Sequence, residues 1–129
     1  MKLRPMLQVR DVGAARRWYE ATLGLRSGHG GDEFDMLLDD DEDVLHLHRL
    51  DAAEHGIEPA SGASPGAGTS LWFELADQDA VAAAVERARA TDGTVVQEPH
   101  WNPQAHHHEA TLTDVDGYIV AVHSPFDAG

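Results

Sequence analysis

Nine histidines and 23 acidic residues in a chain of 129 supply the groups from which chemistry could be built, and their spacing limits what that chemistry is. His46 and His48 stand two apart in Val44-Leu-His-Leu-His48, so on a strand both imidazoles point to one side. His106 and His108 have the same spacing, with His100 upstream and His123 near the end of the second half. Imidazoles gathered on one face suit zinc, nickel or copper. They equally suit hydrogen bonding to, or stacking on, an organic ligand. A divalent metal at His46, His48 and His123 is one reading, but no carboxylate completes the set, and a one-residue register error would turn half of these side chains outward. Glu74 and Glu109 are candidate general bases if burial sets them beside a pocket. The chain has no phosphate-binding glycine loop before a helix and no His-Glu-x-x-His helix, which leaves those chemistries without a carrier.

The other candidate contacts are apolar or aromatic. Trp72 shares strand parity with Ser70 and Glu74; Met36 and Leu38 share parity on an earlier strand; Trp101 lies in the His100-Trp-Asn-Pro-Gln segment between strands, at a rim. Indole, thioether and imidazole together fit a flat, partly hydrophobic molecule better than they fit bond-making. Core packing is the competing role for Trp72, because large aromatics are usually buried.

The elements that must position these groups repeat. Met6–Asp11 reads as a short strand, followed by a helix over Val12–Leu23 with Asp11 as N-cap and Gly24 as stop. Leu71–Asp77 repeats the plan, with Asp77 as the cap of a helix to about Thr91 and a stop at Gly93. The first helix has its stripe at Ala14, Ala15, Trp18, Tyr19 and Leu23, the second at Val81, Ala84, Val85 and Ala88, so both lie with one face on a sheet. Three further strands follow each helix: Arg26–His29, Phe34–Leu38 and Val44–Arg49 in the first half, Thr94–Gln97, His107–Thr113 and Tyr118–His123 in the second. The acidic tract 39–43 predicts a solvated hairpin turn, and Gly28–Gly31 reads as a turn as well. A Gly/Pro/Ser-rich linker at about 57–68 separates module one (about 1–56) from module two (about 69–125). The fold class is therefore α+β: two tandem βαβββ modules in one domain of 1–129, forming a cup-shaped mixed sheet with helices on the outer face. Aligning the halves sets His48 opposite His123.

Composition narrows the partners. A formal net charge of −14 repels phosphate and argues against nucleic acid and anionic membranes. No run approaches the roughly 20 apolar residues that span a bilayer, and the start lacks the pattern of a secretory signal. With no cysteine there is no disulfide and no thiolate site, which fits a cytoplasmic location. A single lysine amid abundant Ala, Gly and Asp fits a GC-rich bacterial genome.

Pro5-Met-Leu-Gln-Val-Arg-Asp-Val12, then Trp18-Tyr19 and Leu23-Gly24-Leu25, resembles the opening of the vicinal oxygen chelate superfamily, which includes glyoxalases, extradiol dioxygenases and bleomycin-resistance proteins. Asp114-Val-Asp-Gly-Tyr-Ile-Val120 is similar to that family's Asp-Pro-Asp-Gly turn, with Val115 in place of the proline, and Gly93–Pro99 also fits. The resemblance covers nearly the whole chain. It implies a metal cup in the enzymes, with slots falling near Arg4, His46, Ser70 and Ala121. Arginine stays protonated, alanine has no donor atom and serine is an uncommon ligand, so only His46 could serve.

The resemblance thus implies a metal-independent, bleomycin-resistance-type protein. It would sequester an aromatic or antibiotic-like compound as a homodimer, using Met36, Leu38, His46, His48, Trp72, Glu74, Trp101, His106, His108 and His123, with no cofactor and no catalytic residue. The rival classes are a metal-dependent glyoxalase- or dioxygenase-like enzyme using displaced histidines, and a cofactor-free enzyme on the same scaffold.

Overall fold

Two halves of the chain build the same structure from different side chains. In the computed structural model, which describes residues 1–51 and 66–127, the chain divides into two compact units, Met1–Ala67 and Gly68–Gly129. Most of the expected linker lies outside the described residues; residues 66–68 form a turn.

The first unit runs β1 (Met6–Val9), α1 (Val12–Leu23), β2 (Arg26–Ser27), β3 (Phe34–Asp39) and β4 (Glu42–Arg49). Its four-stranded sheet has the order β1-β4-β3-β2. β1 and β4 are parallel, with Met6 beside His46 and Gln8 beside His48; the other pairings are antiparallel. The α1 ends are as the sequence predicts. Asp11 accepts the Ala14 N–H at 2.9 Å, and Gly24 closes the helix at φ +71°, a conformation a Cβ would strain. The inner side of the unit collects Leu7, Val9, Leu37, Leu45 and Leu47 with Ala15, Trp18 and Tyr19 from α1, all buried. Trp18 and Tyr19 meet edge to face at 4.8 Å, so both are core groups.

One buried charge organises the loop before β3. Asp35 is fully buried and accepts from Arg16 Nε at 2.5 Å, from Ser27 Oγ at 2.7 Å, and from the backbone N–H groups of His29 and Gly30 at 3.0 and 2.8 Å. Burial alone would raise this carboxyl. The Gly30 N–H, Arg16, Ser27 and the His29 N–H outweigh it and bring it down to about 2. The glycine-rich stretch 28–31 is thus a turn wrapped on a carboxylate. Gly31 is needed there, since a Cβ would come within 2.7 Å of the Phe34 carbonyl oxygen.

The second unit runs β5 (Ser70–Glu74), α2 (Gln78–Arg89), β6 (Thr94–Asn102), β7 (His107–Thr113) and β8 (Ile119–His123), with sheet order β5-β8-β7-β6. Again the first and last strands are parallel, Trp72 beside Ala121 and Glu74 beside His123. Asp77 caps α2 by accepting the Ala80 N–H at 2.8 Å. The helix ends at Arg89, short of the expected Thr91, with Ala90 as its cap. Its Val81, Ala84, Val85 and Ala88 are buried, as are Ala110, Leu112, Val120 and Val122 of the sheet. β6 is longer than its sequence pattern suggests: it continues through His100 and Trp101 after register shifts at Val95/Gln97 and Gln97/His100. These two residues are therefore strand positions paired with β7, where the sequence predicts a loop. The irregular pairing keeps the ladder going past Pro99, which has no N–H to give.

Candidate functional site

Each sheet has a face opposite its apolar packing face, and the site residues are read from there. In the first unit, strand alternation sets Met36 and Leu38 on the same side of β3, and both would meet a Cβ at Gly28. Register joins Met36 to His46 and Phe34 to His48. The four candidates of this half therefore share one face. His46 is engaged: its Nε2 lies 2.7 Å from Asp43 Oδ2, with Arg4 NH1 3.5 Å from the same oxygen, and Phe34 meets its ring edge to face at 5.4 Å. His48 is buried and donates Nδ1–H to Arg49 O at 3.0 Å.

The second unit carries the denser group. One row crosses all four strands: Glu74 on β5, His123 on β8, Glu109 on β7 and His100 on β6. Beside it stand Trp72 and His107. The His107 and His123 rings stack at 4.5 Å and 27°, and Trp72 lies 6.0 Å from His123 and 6.5 Å from His107. Trp72 is 54% exposed, which removes it from the core; its indole N–H is tied to Ser70 Oγ at 2.9 Å. Glu109 is buried and its Oε1 accepts from Asn102 Nδ2 at 2.8 Å and from His107 Nε2 at 2.9 Å. Burial pushes this carboxyl up, but the Asn102 and His107 hydrogen bonds outweigh it and the carboxyl stays below its ordinary value. A carboxylate so stabilised is a poor proton acceptor, which argues against Glu109 as a general base.

Three of the sequence candidates, Trp101, His106 and His108, stand elsewhere. His108 alternates with Ala110 and Leu112, the buried packing side of β7, and not with Glu109. His106 sits in the β6–β7 turn at φ +54°. They gather with Trp101 instead, at 5.3 Å for His108 and 6.2 Å for His106, and His106 also meets Phe126 at 5.5 Å. His107 takes the place beside Trp72 and His123 that the spacing of His106 and His108 suggests for those two. The signal was present: Ala110 and Leu112 are the apolar phase of this strand, which assigns its odd-numbered residues to the other face.

The metal slots that the resemblance implies can be tested by their donors. In the first unit they hold the Arg4 guanidinium, a cation, and His46, already bonded to Asp43. In the second they hold Ser70, whose Oγ accepts from Trp72, and Ala121, which has no donor atom. These residues do not fit a divalent ion of the family's kind. No group of three or more His, Asp or Glu side chains placed to hold a metal occurs among the described residues. A cleft beside the start of α1 gathers Arg10, Arg16, Arg17 and Arg49. Arg16 is paired with Asp35, and Arg49 with Asp51 and Glu33, so much of its charge is already matched.

Comparison with known proteins agrees with this architecture. Among solved structures, the chain is similar to a hypothetical protein from S. aureus (TM-score 0.81, 17% identity, covering 97% of this chain and 94% of that one). It is also similar to a glyoxalase/bleomycin resistance protein/dioxygenase family enzyme from Burkholderia phytofirmans PsJN (0.77, 19%, 94% and 95%) and to a lactoylglutathione lyase from Agrobacterium tumefaciens (0.70, 20%, 96% and 92%). At these identities the likeness is one of fold. No curated protein matches the sequence. A family model matches residues 3–122, nearly the full length, and the chain belongs to the Glyoxalase/Bleomycin resistance protein/Dioxygenase superfamily.

Proposed function

We propose that this protein is a metal-independent small-molecule binding protein that sequesters a planar aromatic, antibiotic-like compound in the cytoplasm, working as a homodimer. The observation that carries the reading is Trp72: an indole 54% exposed, anchored through its N–H to Ser70 and flanked by two stacked imidazoles. A large aromatic left in water, with its polar edge already tied, is a platform for another ring. The donor set of the metal slots supports binding over metal-assisted chemistry, since one slot is a cation and another has no donor. The lowered carboxyl of Glu109 and the exposure of Glu74 give little support to a cofactor-free base. No helix among the described residues is long and apolar enough to cross a membrane.

Titrating aromatic antibiotics and following tryptophan fluorescence tests the reading. Saturable quenching that disappears in Trp72→Ala is the expected result. Recovery of chemically altered compound after incubation would instead make the protein an enzyme.

A further inference from the structure

The imidazoles on the open face of the second sheet have their ring protons assigned by their partners. His107 Nε2 meets Glu109 Oε1, an oxygen of a carboxyl that its neighbours hold ionised. His123 Nδ1 meets Ser124 O at 2.9 Å, and His100 Nδ1 meets Glu98 O at 2.9 Å. Carboxylate and carbonyl oxygens only accept, so the ring nitrogen donates in all three pairs. A neutral imidazole has a single N–H. The second nitrogen of each ring (Nδ1 of His107, Nε2 of His123 and of His100) therefore carries a lone pair. The same face adds the carboxylates of Glu74 and Glu109. Among the described residues of this unit no arginine or lysine lies on that face, since Arg87 and Arg89 are on α2.

From this pattern of acceptors we infer that the aromatic ligand stacking on Trp72 is one that bears hydrogen-bond donors, a phenol or an aryl amine, neutral or cationic, and that aryl carboxylates are refused. This rests on the binding reading above and adds to it the polarity of the bound group. A donor satisfies imidazole nitrogens that would otherwise be covered unpaired; an anion meets lone pairs and two carboxylates.

Calorimetric titration of the full chain with naphthol, methoxynaphthalene and naphthoate separates the possibilities, because the three share one ring system. Naphthol should bind about tenfold more tightly than either of the others. In His107→Leu/His123→Leu naphthol should lose its advantage over methoxynaphthalene, while naphthoate stays the weakest of the three because Glu74 and Glu109 remain. The wild-type comparison stands even if that variant fails to fold. Equal binding of the three by the wild type, still abolished by Trp72→Ala, would remove this inference and leave the binding reading intact. Tightest binding of naphthoate would remove it too. Absence of binding by all three would remove both. Stoichiometric zinc lost on His107→Leu would assign the lone pairs to a metal and overturn the inference.

Discussion

His48 and His123 occupy the same place in the two units, and each donates its Nδ1–H to the carbonyl of the residue that follows, at 3.0 and 2.9 Å. One backbone device thus orients an imidazole twice, and only the neighbours differ. Around His48 stand Phe34 and Gln8; around His123 stand Glu74, Glu109, Trp72 and His107. The repeat supplies position, and the second unit adds aromatic and acidic groups around its copy.

Trp72 and Trp101 should behave differently when truncated. Trp72 stands beside the stacked imidazoles, whereas Trp101, 42% exposed, belongs to the His106–His108 group. Trp72→Ala should weaken aromatic binding by about 1–3 kcal/mol, with the unfolding midpoint nearly unchanged because over half of the side chain is already in water. Trp101→Ala should cost less affinity. A large loss of stability in Trp72→Ala, measured by denaturant unfolding, would return this residue to a packing role.

Asp35 should make stability depend on acid. Its carboxyl lies at about 2 in the folded protein, against an ordinary 3.8. The folded value is the lower one, so the stabilisation is complete above about pH 4 and is lost as pH falls toward 2. The shift corresponds to about 2 kcal/mol. Asp35→Asn should cost about 2–3 kcal/mol at neutral pH, leaving Arg16 without its charge partner, and should flatten the curve between about pH 4 and about pH 2. An unchanged acid limb in the variant would contradict the assignment.

Glu109 supports its neighbours through one oxygen. Glu109→Ala leaves the Asn102 amide and the His107 N–H without an acceptor and should cost about 1–3 kcal/mol. Glu109→Gln retains an acceptor and should cost less. The wild-type contribution is present above the unfolded carboxylate value and is lost as pH falls through the lower folded one, so both variants should show a weaker acid dependence by equilibrium unfolding. Equal stability of wild type and Glu109→Ala would show that the Asn102 and His107 contacts contribute nothing.

Metal removal should leave the protein unchanged. With arginine, serine and alanine in three of the family's slots, untagged protein should carry well under one equivalent of divalent ion, and a chelator should not move Tm. Stoichiometric metal that is lost in His46→Ala would contradict this, because it would require His46 to leave Asp43.

Much of the fold is legible in the chain because its signals are local. Asp11 and Asp77 cap the helices they precede, Gly24 ends α1 in the left-handed region, and the apolar stripes of both helices are the buried ones. Strand parity likewise placed Met36, Leu38, His46 and His48 on one face. Tertiary structure decided what depends on pairing across strands. Register shifts carried β6 through His100 and Trp101, and pairing across the sheet set Glu109 beside both His123 and His100. The Asp35 cluster joins α1, the loop after β2 and β3, partners that no local pattern links. Side-chain direction alternates with every residue, so a bulge or a choice of phase reassigns a whole row. Caps and stripes need only their own helix, whereas a site row needs four strands in register.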